Sequence, residues 1–257
     1  MGAERPRTFP GVRRAVTQID LSSFDHRASY VDVEGRDRWE VRVVNQWISA
    51  TLPSIVAAAP AGAVLDVGCA EQPFRALVEA NDRPYVGMDV VQNRRGTVSV
   101  LGDLEHVEAS ATAYPVVLCT EVLEHVVDID LAFRGLRRLT VTGGMVVLTV
   151  PFLFPVHMEP YDYRRLTGNG VARLAADHGF AVVSCVRLGS AADAVATLMS
   201  DISVLPAART FRSQVKTGIL RAAKAWIVGQ LDRPSLQDHV AINSNFYLCN
   251  GVVLQAR

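Results

Sequence analysis

The sequence predicts an α/β fold: a doubly wound, mostly parallel seven-stranded sheet of the Rossmann-like kind, with N-terminal and C-terminal helical cap segments. Two observations predict it. Strand-like runs and helical stretches alternate from residue 63 to residue 188, a pattern that sets parallel strands side by side with helices on both faces. The run 145–150 is continuously apolar, as a strand buried on both faces must be. Composition agrees. The chain has 257 residues, 49% apolar and 20% charged, so it can bury a large core. Its 26 basic and 26 acidic side chains cancel. That excludes the global basic field of a non-specific nucleic-acid binder.

Residues 1–36 are polar, with Pro6, Pro10 and Gly11 and no strong period, and are read as a loose arm. From Arg38, the residues Val41, Val44, Ile48 and Leu52 recur at helical spacing until Pro53, where an interruption is expected. Pro60-Ala61-Gly62 makes a turn into the first strand, 63–67. Pro73 suits the first turn of a helix through Leu77 and Val78. Short β-branched runs at 85–90, 97–101 and 115–119 read as strands two to four. A helix over 128–139 carries Ile129, Phe133, Leu136 and Leu139 near one face, and Gly143-Gly144 is expected to stop it. After the fifth strand comes a helix over 167–178, ended by Gly179, and a sixth strand over 181–188. Residues 190–243 break the rhythm and read as a helical insert, with Phe211, Val215, Ile219, Ala222 and Trp226 on one face. The last strand returns over 246–255. The expected organisation is an N-terminal cap (1–50), a core (51–190), the insert (190–243) and the last strand of the core sheet (244–257).

No segment reads as a signal peptide or a membrane span, because the two long uncharged stretches, 43–65 and 140–158, are broken by Pro and Gly. Cys69, Cys119, Cys185 and Cys249 form no CxxC pair. Three of them sit in apolar strand-like runs and read as small buried hydrophobes of a cytoplasmic protein.

The chemistry concentrates in two blocks. In Val64-Leu65-Asp66-Val67-Gly68-Cys69-Ala70 a strand runs into a glycine turn and a helix. The next strand ends in Asp89, 21 residues after Gly68, where a carboxylate can accept from ribose hydroxyls. A dinucleotide fingerprint would need glycines at 68, 70 and 73, but the chain has Gly68, Ala70 and Pro73, and no P-loop. A ribose-bearing ligand without a pyrophosphate fits better. The second block, residues 151–167, follows the fifth strand and carries Phe152, Phe154, His157, Glu159, Tyr161, Asp162, Tyr163, Arg164 and Arg165. It is too polar for plain core, and it lies where α/β folds place their sites.

These residues resemble the class I S-adenosylmethionine-dependent methyltransferases over about residues 60–190, a span set by element-level matching. Asp66-Val67-Gly68-Cys69-Ala70 is similar to the family's first motif, with Ala70 in place of its second glycine. Asp89 matches the ribose-binding acid, and Gly102-Asp103-Leu104 the segment that holds adenine. Residues 118–126, Leu-Cys-Thr-Glu-Val-Leu-Glu-His-Val, match the fourth-strand motif, and 136–151 the helix, turn and fifth strand. The resemblance implies S-adenosyl-L-methionine as cofactor and S-adenosyl-L-homocysteine as product. Asp66, Gly68, Ala70, Asp89, Asp103, Leu104, Thr120 and Glu121 would hold the cofactor. His125, Phe154, Tyr161, Tyr163 and Arg165 would meet a small-molecule acceptor such as a sugar or secondary-metabolite hydroxyl.

His157 is the candidate general base. Glu159 and Asp162 would orient it, bind the acceptor or cap the following helix. His125 would tether a turn or act as base. His157, Glu159 and Asp162 are also a conceivable Mg²⁺ set, but histidine is a poor first choice for that ion and no metal is expected. Arg209, Arg212, Lys216, Arg221 and Lys224 have no acid among them from Asp201 to Asp232. Three uses are open: a solvated or homodimer-forming helix, a contact with an anionic surface, and a reach to the phosphate of an anionic or carrier-linked acceptor. A non-catalytic binding or scaffold protein of the same fold is the rival reading.

Overall fold

A computed structural model describes residues 37–203, 210–231, 233 and 246–257. The N-terminal arm, Arg209 and much of the segment before the last strand lie outside the described residues. The chain runs α1 (Arg38–Ala58), β1 (Val64–Val67), α2 (Arg75–Glu79), β2 (Tyr85–Asp89), β3 (Val100–Leu101), a 3-10 turn (Leu104–His106), β4 (Tyr114–Thr120), α3 (Ile129–Leu139), β5 (Thr140–Pro151), α4 (Gly168–Asp177), β6 (Phe180–Leu188), α5 (Ala191–Asp201), α6 (Phe211–Leu231) and β7 (Cys249–Ala256). The seven strands form one sheet in the order β3-β2-β1-β4-β5-β7-β6. Strands β1 to β5 pair in parallel, and β7 runs antiparallel to both of its neighbours, β5 and β6.

Alternation along the strands divides the core in two. Val117 and Cys119 of β4 face Phe133, Leu136, Val171 and Ala175 on one side of the sheet. Val116 and Leu118 face Ile48, Leu52, Phe74 and Ala194 on the other. Helices α3, α4 and α5 start on side-chain caps. Asp128 accepts from the Leu131 amide at α3, and Thr167 from the Gly170 amide at α4. At α5, Ser190 and Asp193 form a capping box, and Arg42 of α1 reaches the buried Asp193 at 2.6 Å. This ion pair ties the first helix to the fifth.

The structure corrects several expectations. Helix α1 continues through Pro53 to Ala58. A proline costs one backbone hydrogen bond, but Ile48, Leu52 and Val56 bury one continuous face across it. Gly143-Gly144 does not end α3, which stops at Leu139. The glycines lie in β5, where the pairing jumps from Tyr114↔Thr140 to Val116↔Met145. Gly143 holds φ +78°, and a Cβ on Gly144 would meet the Val141 and Pro115 carbonyls at 2.8 and 3.0 Å. Cys185 is exposed rather than buried, because it lies on β6 at the edge of the sheet. The apolar residues Phe211, Val215, Ile219 and Trp226 of α6 are exposed. No helix of the described residues is long and apolar enough to cross a membrane.

One packing constraint is open to a direct test. An added Cβ at Gly135 of α3 would lie 2.0 Å from the Leu104 carbonyl oxygen, whereas Gly218 of α6 has nothing within 4 Å. Gly135→Ala should lower the unfolding free energy by about 2 kcal/mol through overpacking. Gly218→Ala should raise it by about 0.5–1 kcal/mol through helix propensity. Urea denaturation of the two variants checks the opposite signs.

Candidate active site

The parallel strands bring their C-terminal ends to one edge. At the end of β1, Asp66 is 1% exposed and accepts a 2.5 Å hydrogen bond from the Tyr85 hydroxyl. Burial pushes its carboxyl up to about 7, with the Tyr85 bond opposing and the Asp89 charge adding to the rise. Its second oxygen, Oδ1, is buried with no hydrogen-bond partner. Gly68 follows at φ +69°, where a Cβ would strike Val122 at 2.3 Å. Ala70 holds φ +41°, a conformation that favours glycine. Two bonds keep it there. Its amide donates to Asp89 Oδ2 at 2.8 Å, and its carbonyl accepts from Asn93 Nδ2 at 3.0 Å. Gln72 and Thr97 complete a polar link between the loops after β1 and β2. Asp103 caps the 3-10 turn by accepting from the Glu105 amide, and Leu104 is buried.

A second cluster forms where the segment after β4 meets the loop after β5. The loop is fastened by backbone and guanidinium bonds. Arg164 donates to the carbonyls of Leu123, Val126 and Val127, and the Tyr163 amide donates to the Glu124 carbonyl. Arg165 grips Asp162 with two nitrogens and also donates to the Phe154 and Pro155 carbonyls. Asp162 in turn accepts from the His157 amide at 2.9 Å. Burial raises Asp162, but Arg165 and the His157 amide outweigh it and hold the carboxyl below its ordinary range.

Inside this frame the rings of His125 and His157 pack edge to face at 4.9 Å, and Phe154 lies edge-on to His157 at 5.3 Å. His125 Nδ1 donates to the Tyr161 carbonyl at 2.8 Å, and His157 Nδ1 lies 3.1 Å from Asp162 Oδ2. Both Nε2 atoms turn toward Glu124 Oε1, at 3.5 Å from His125 and 3.9 Å from His157. Burial lowers both imidazoles, His157 to about 4 with His125 assisting, so both rings are neutral at pH 7. Glu124 is 1% exposed, neither of its oxygens has a hydrogen-bond partner, and burial pushes it up to about 8. Glu121, at φ +51°, is raised to about 8 by burial and by Glu124, with the Thr149 hydroxyl and the Glu40 carboxyl opposing the rise.

The fold thus gathers Asp66, Gly68, Ala70 and Asp89 at the ends of β1 and β2, with Thr120 and Glu121 at the end of β4. It gathers His125, His157, Phe154, Asp162, Arg165 and the Tyr161 backbone in the second cluster. Glu159 and Tyr163 stand apart with exposed side chains. Sequence reading missed Glu124, Tyr85 and Asn93. For Glu124 a signal existed, a glutamate directly before a histidine in the fourth-strand motif. Tyr85 and Asn93 carried none.

The chain belongs to the methyltransferase domain family, whose model matches residues 37–185. It is a methyltransferase. Solved structures share its fold at low identity. A 1,6-didemethyltoxoflavin-N1-methyltransferase of Burkholderia thailandensis superposes with a TM-score of 0.53 at 13% identity, covering 86% of this chain and 81% of that one. Magnesium protoporphyrin IX methyltransferase of Synechocystis PCC 6803 gives 0.51 at 14%, covering 92% of each. A SAM-dependent methyltransferase of Archaeoglobus fulgidus gives 0.52 at 11%, covering 86% and 97%. No curated protein matches the sequence.

Asp66 makes stability depend on pH in a stated direction. Its folded carboxyl holds a proton up to about 7 against an ordinary 3.8. The folded state therefore binds the extra proton between those values, and the contribution of this group falls as pH rises through that window. Asp66→Asn should remove that fall, so the difference in unfolding free energy between wild type and variant should drift across the window and level off above it. Urea titrations at several pH values read it out.

Proposed function

We propose that the chain transfers the methyl group of S-adenosylmethionine to a hydroxyl oxygen of a small-molecule acceptor, a sugar or a secondary metabolite, and releases S-adenosylhomocysteine. The observation that carries this reading is the pair of neutral imidazoles facing buried Glu124 beside the strand ends that suit the cofactor. An amine acceptor attacks with a free lone pair and needs no proton removed beforehand. A hydroxyl does, and two neutral rings with inward Nε2 atoms form a place for that proton to leave.

The residues present fit the cofactor. Asp66 Oδ1 is an orphaned buried acceptor, the partner an amino-acid ammonium lacks in an apolar pocket. Asp89 accepts the Ala70 amide on Oδ2 and the Val91 amide on Oδ1, which fixes the carboxylate at the end of β2, where an acid suits ribose hydroxyls. Gly68 and Ala70 form the turn beneath the methionine part, Asp103 and the Leu104 amide suit adenine, and Thr120 and Glu121 border the reacting end.

The cofactor supplies a methyl group on a positively charged sulfur, already reactive toward an oxygen lone pair. The protein's task is alignment and exclusion of water. His125 and His157 orient the acceptor hydroxyl and take up its proton at the cluster. Asp162, locked by Arg165, accepts the His157 backbone amide and so fixes the position of that residue in the loop. The O–H bond breaks, an O–CH3 bond forms, and the S–CH3 bond leaves its electron pair on sulfur. Glu159 has no part in this arrangement.

Two variants separate binding from chemistry. Asp89→Ala should abolish calorimetric binding of S-adenosylmethionine. His157→Ala should keep that binding and lower turnover by about 10²- to 10⁴-fold, measured as transfer of labelled methyl to hydroxyl-bearing sugars and secondary metabolites. Intact turnover in His157→Ala would remove the oxygen-acceptor reading.

A further inference from the structure

We propose that Glu124, His125 and His157 hold a divalent transition-metal ion, with the acceptor hydroxyl as a further ligand. The hydroxyl part rests on the methyl-transfer reading above, and the ion site does not. Three features of the cluster lead here.

The first is convergence. One ligand atom from each of the three residues lies within 4.8 Å of the other two, across the C-terminal ends of β4 and β5. The second is orientation. Metal-binding histidines donate their outer ring nitrogen to a carbonyl or carboxylate, which fixes the tautomer and frees the inner nitrogen. His125 does this on the Tyr161 carbonyl, whereas His157 Nδ1 lies 3.1 Å from Asp162 Oδ2 without making a hydrogen bond. Asp162 is held by Arg165, and the loop carrying both outer partners is bolted to residues 123–127 by Arg164. The outer shell is therefore built from groups that the ion would not touch.

The third feature is Glu124 itself. Both of its oxygens are excluded from solvent with no hydrogen-bond partner. A buried carboxylate without donors is costly unless a proton or a cation compensates it. Glu121 Oε1, buried and likewise without a hydrogen-bond partner, adds a second acid close by.

The donor set selects the ion. Two imidazoles and one carboxylate suit Zn²⁺, Co²⁺, Mn²⁺ or Fe²⁺ better than Mg²⁺ or Ca²⁺. Three protein ligands leave positions open, as in catalytic rather than structural sites. With the ion bound, the two Nε2 atoms serve as its ligands in place of the proton-accepting role they have without it, and a hydroxyl on the ion releases its proton to solvent more readily than in water. The sequence-level set His157, Glu159 and Asp162 is not the one the fold assembles, because Glu159 is exposed and Asp162 is engaged by Arg165.

The test uses the full chain, stripped with a chelator and titrated with Co²⁺ while visible absorption is followed, then with Zn²⁺ in competition. One equivalent should bind and give ligand-field bands, and Zn²⁺ should displace it. Glu124→Gln, His125→Gln and His157→Gln should each weaken binding by about 10- to 100-fold or more. His178→Gln, at a separate histidine beside Asp130, should leave it unchanged. Retained binding of S-adenosylmethionine shows that each variant is folded. Absence of stoichiometric binding, or binding unaffected in the folded ligand variants, overturns the site. Stripped enzyme should also lose methyl transfer and regain it with Zn²⁺, Co²⁺ or Mn²⁺. Unchanged transfer after stripping overturns the ion's role toward the acceptor while the methyl-transfer reading stands. Ion binding without transfer to any hydroxyl acceptor overturns that reading and leaves the site intact.

Discussion

Parallel pairing of β1 with β2 on one side and β4 on the other is the constraint on which the site depends. Val67 of β1 is in register with Met88 and with Cys119. The residues that follow those three, Gly68, Asp89 and Thr120, therefore emerge at one level of one edge. Sheet order reverses at this point, with β2 and β3 laid outward one way and β4 and β5 the other. Loops leaving β1 and β4 consequently diverge and open a crevice between them. Met145–Thr149 of β5 in register with Val116–Thr120 of β4 extends the same edge to the aromatic loop.

Polar economy at this edge differs on its two sides. Around the β1 and β2 loops, short neutral side chains do the fastening. Gln72, Asn93 and Thr97 satisfy one another and the backbone, which leaves Asp89 to tie down Ala70. Around the β4 and β5 loops, two arginines do it. Their planar guanidinium groups collect carbonyls that no strand or helix has used. The result is a rigid shell around a small set of under-partnered groups. Asp66, Glu121 and Glu124 are all driven toward the protonated form by burial. Buried polar atoms without partners are rare in folded proteins, and Asp66 Oδ1, Glu121 Oε1 and both Glu124 oxygens are among those of the described residues.

Backbone strain gathers at the same place. Ala70 and Glu121 both hold positive φ without being glycine. Each follows a strand that carries the crevice, and each is held from outside. Ala70 is bonded to Asp89 and Asn93, while the Glu121 amide donates to the Thr149 carbonyl. The glycine-like turn is thus preserved with alanine in it. Strict glycine spacing is not what the loop requires, provided that its neighbours impose the conformation.

The chain alone determined what depends on neighbours along the sequence. Alternation, continuous apolar runs and the glycine stop at Gly179 are local signals, and they were enough for the sheet and for several helix limits. Pro53 and Gly143-Gly144 misled because their local preference was overridden, by the buried face of α1 in one case and by the bulged pairing of β4 with β5 in the other. What only the tertiary structure decided is contact between residues far apart in the chain. Glu124 and His157 are 33 residues apart and lie on loops with no shared period, so nothing local links them. They meet because β4 and β5 pair in parallel and Arg164 folds the second loop back onto the first. The same step turned Glu159 and Tyr163 outward and drew Asp162 into the grip of Arg165. A local pattern names residue types, but only the sheet register and the loop's return path bring particular atoms within reach.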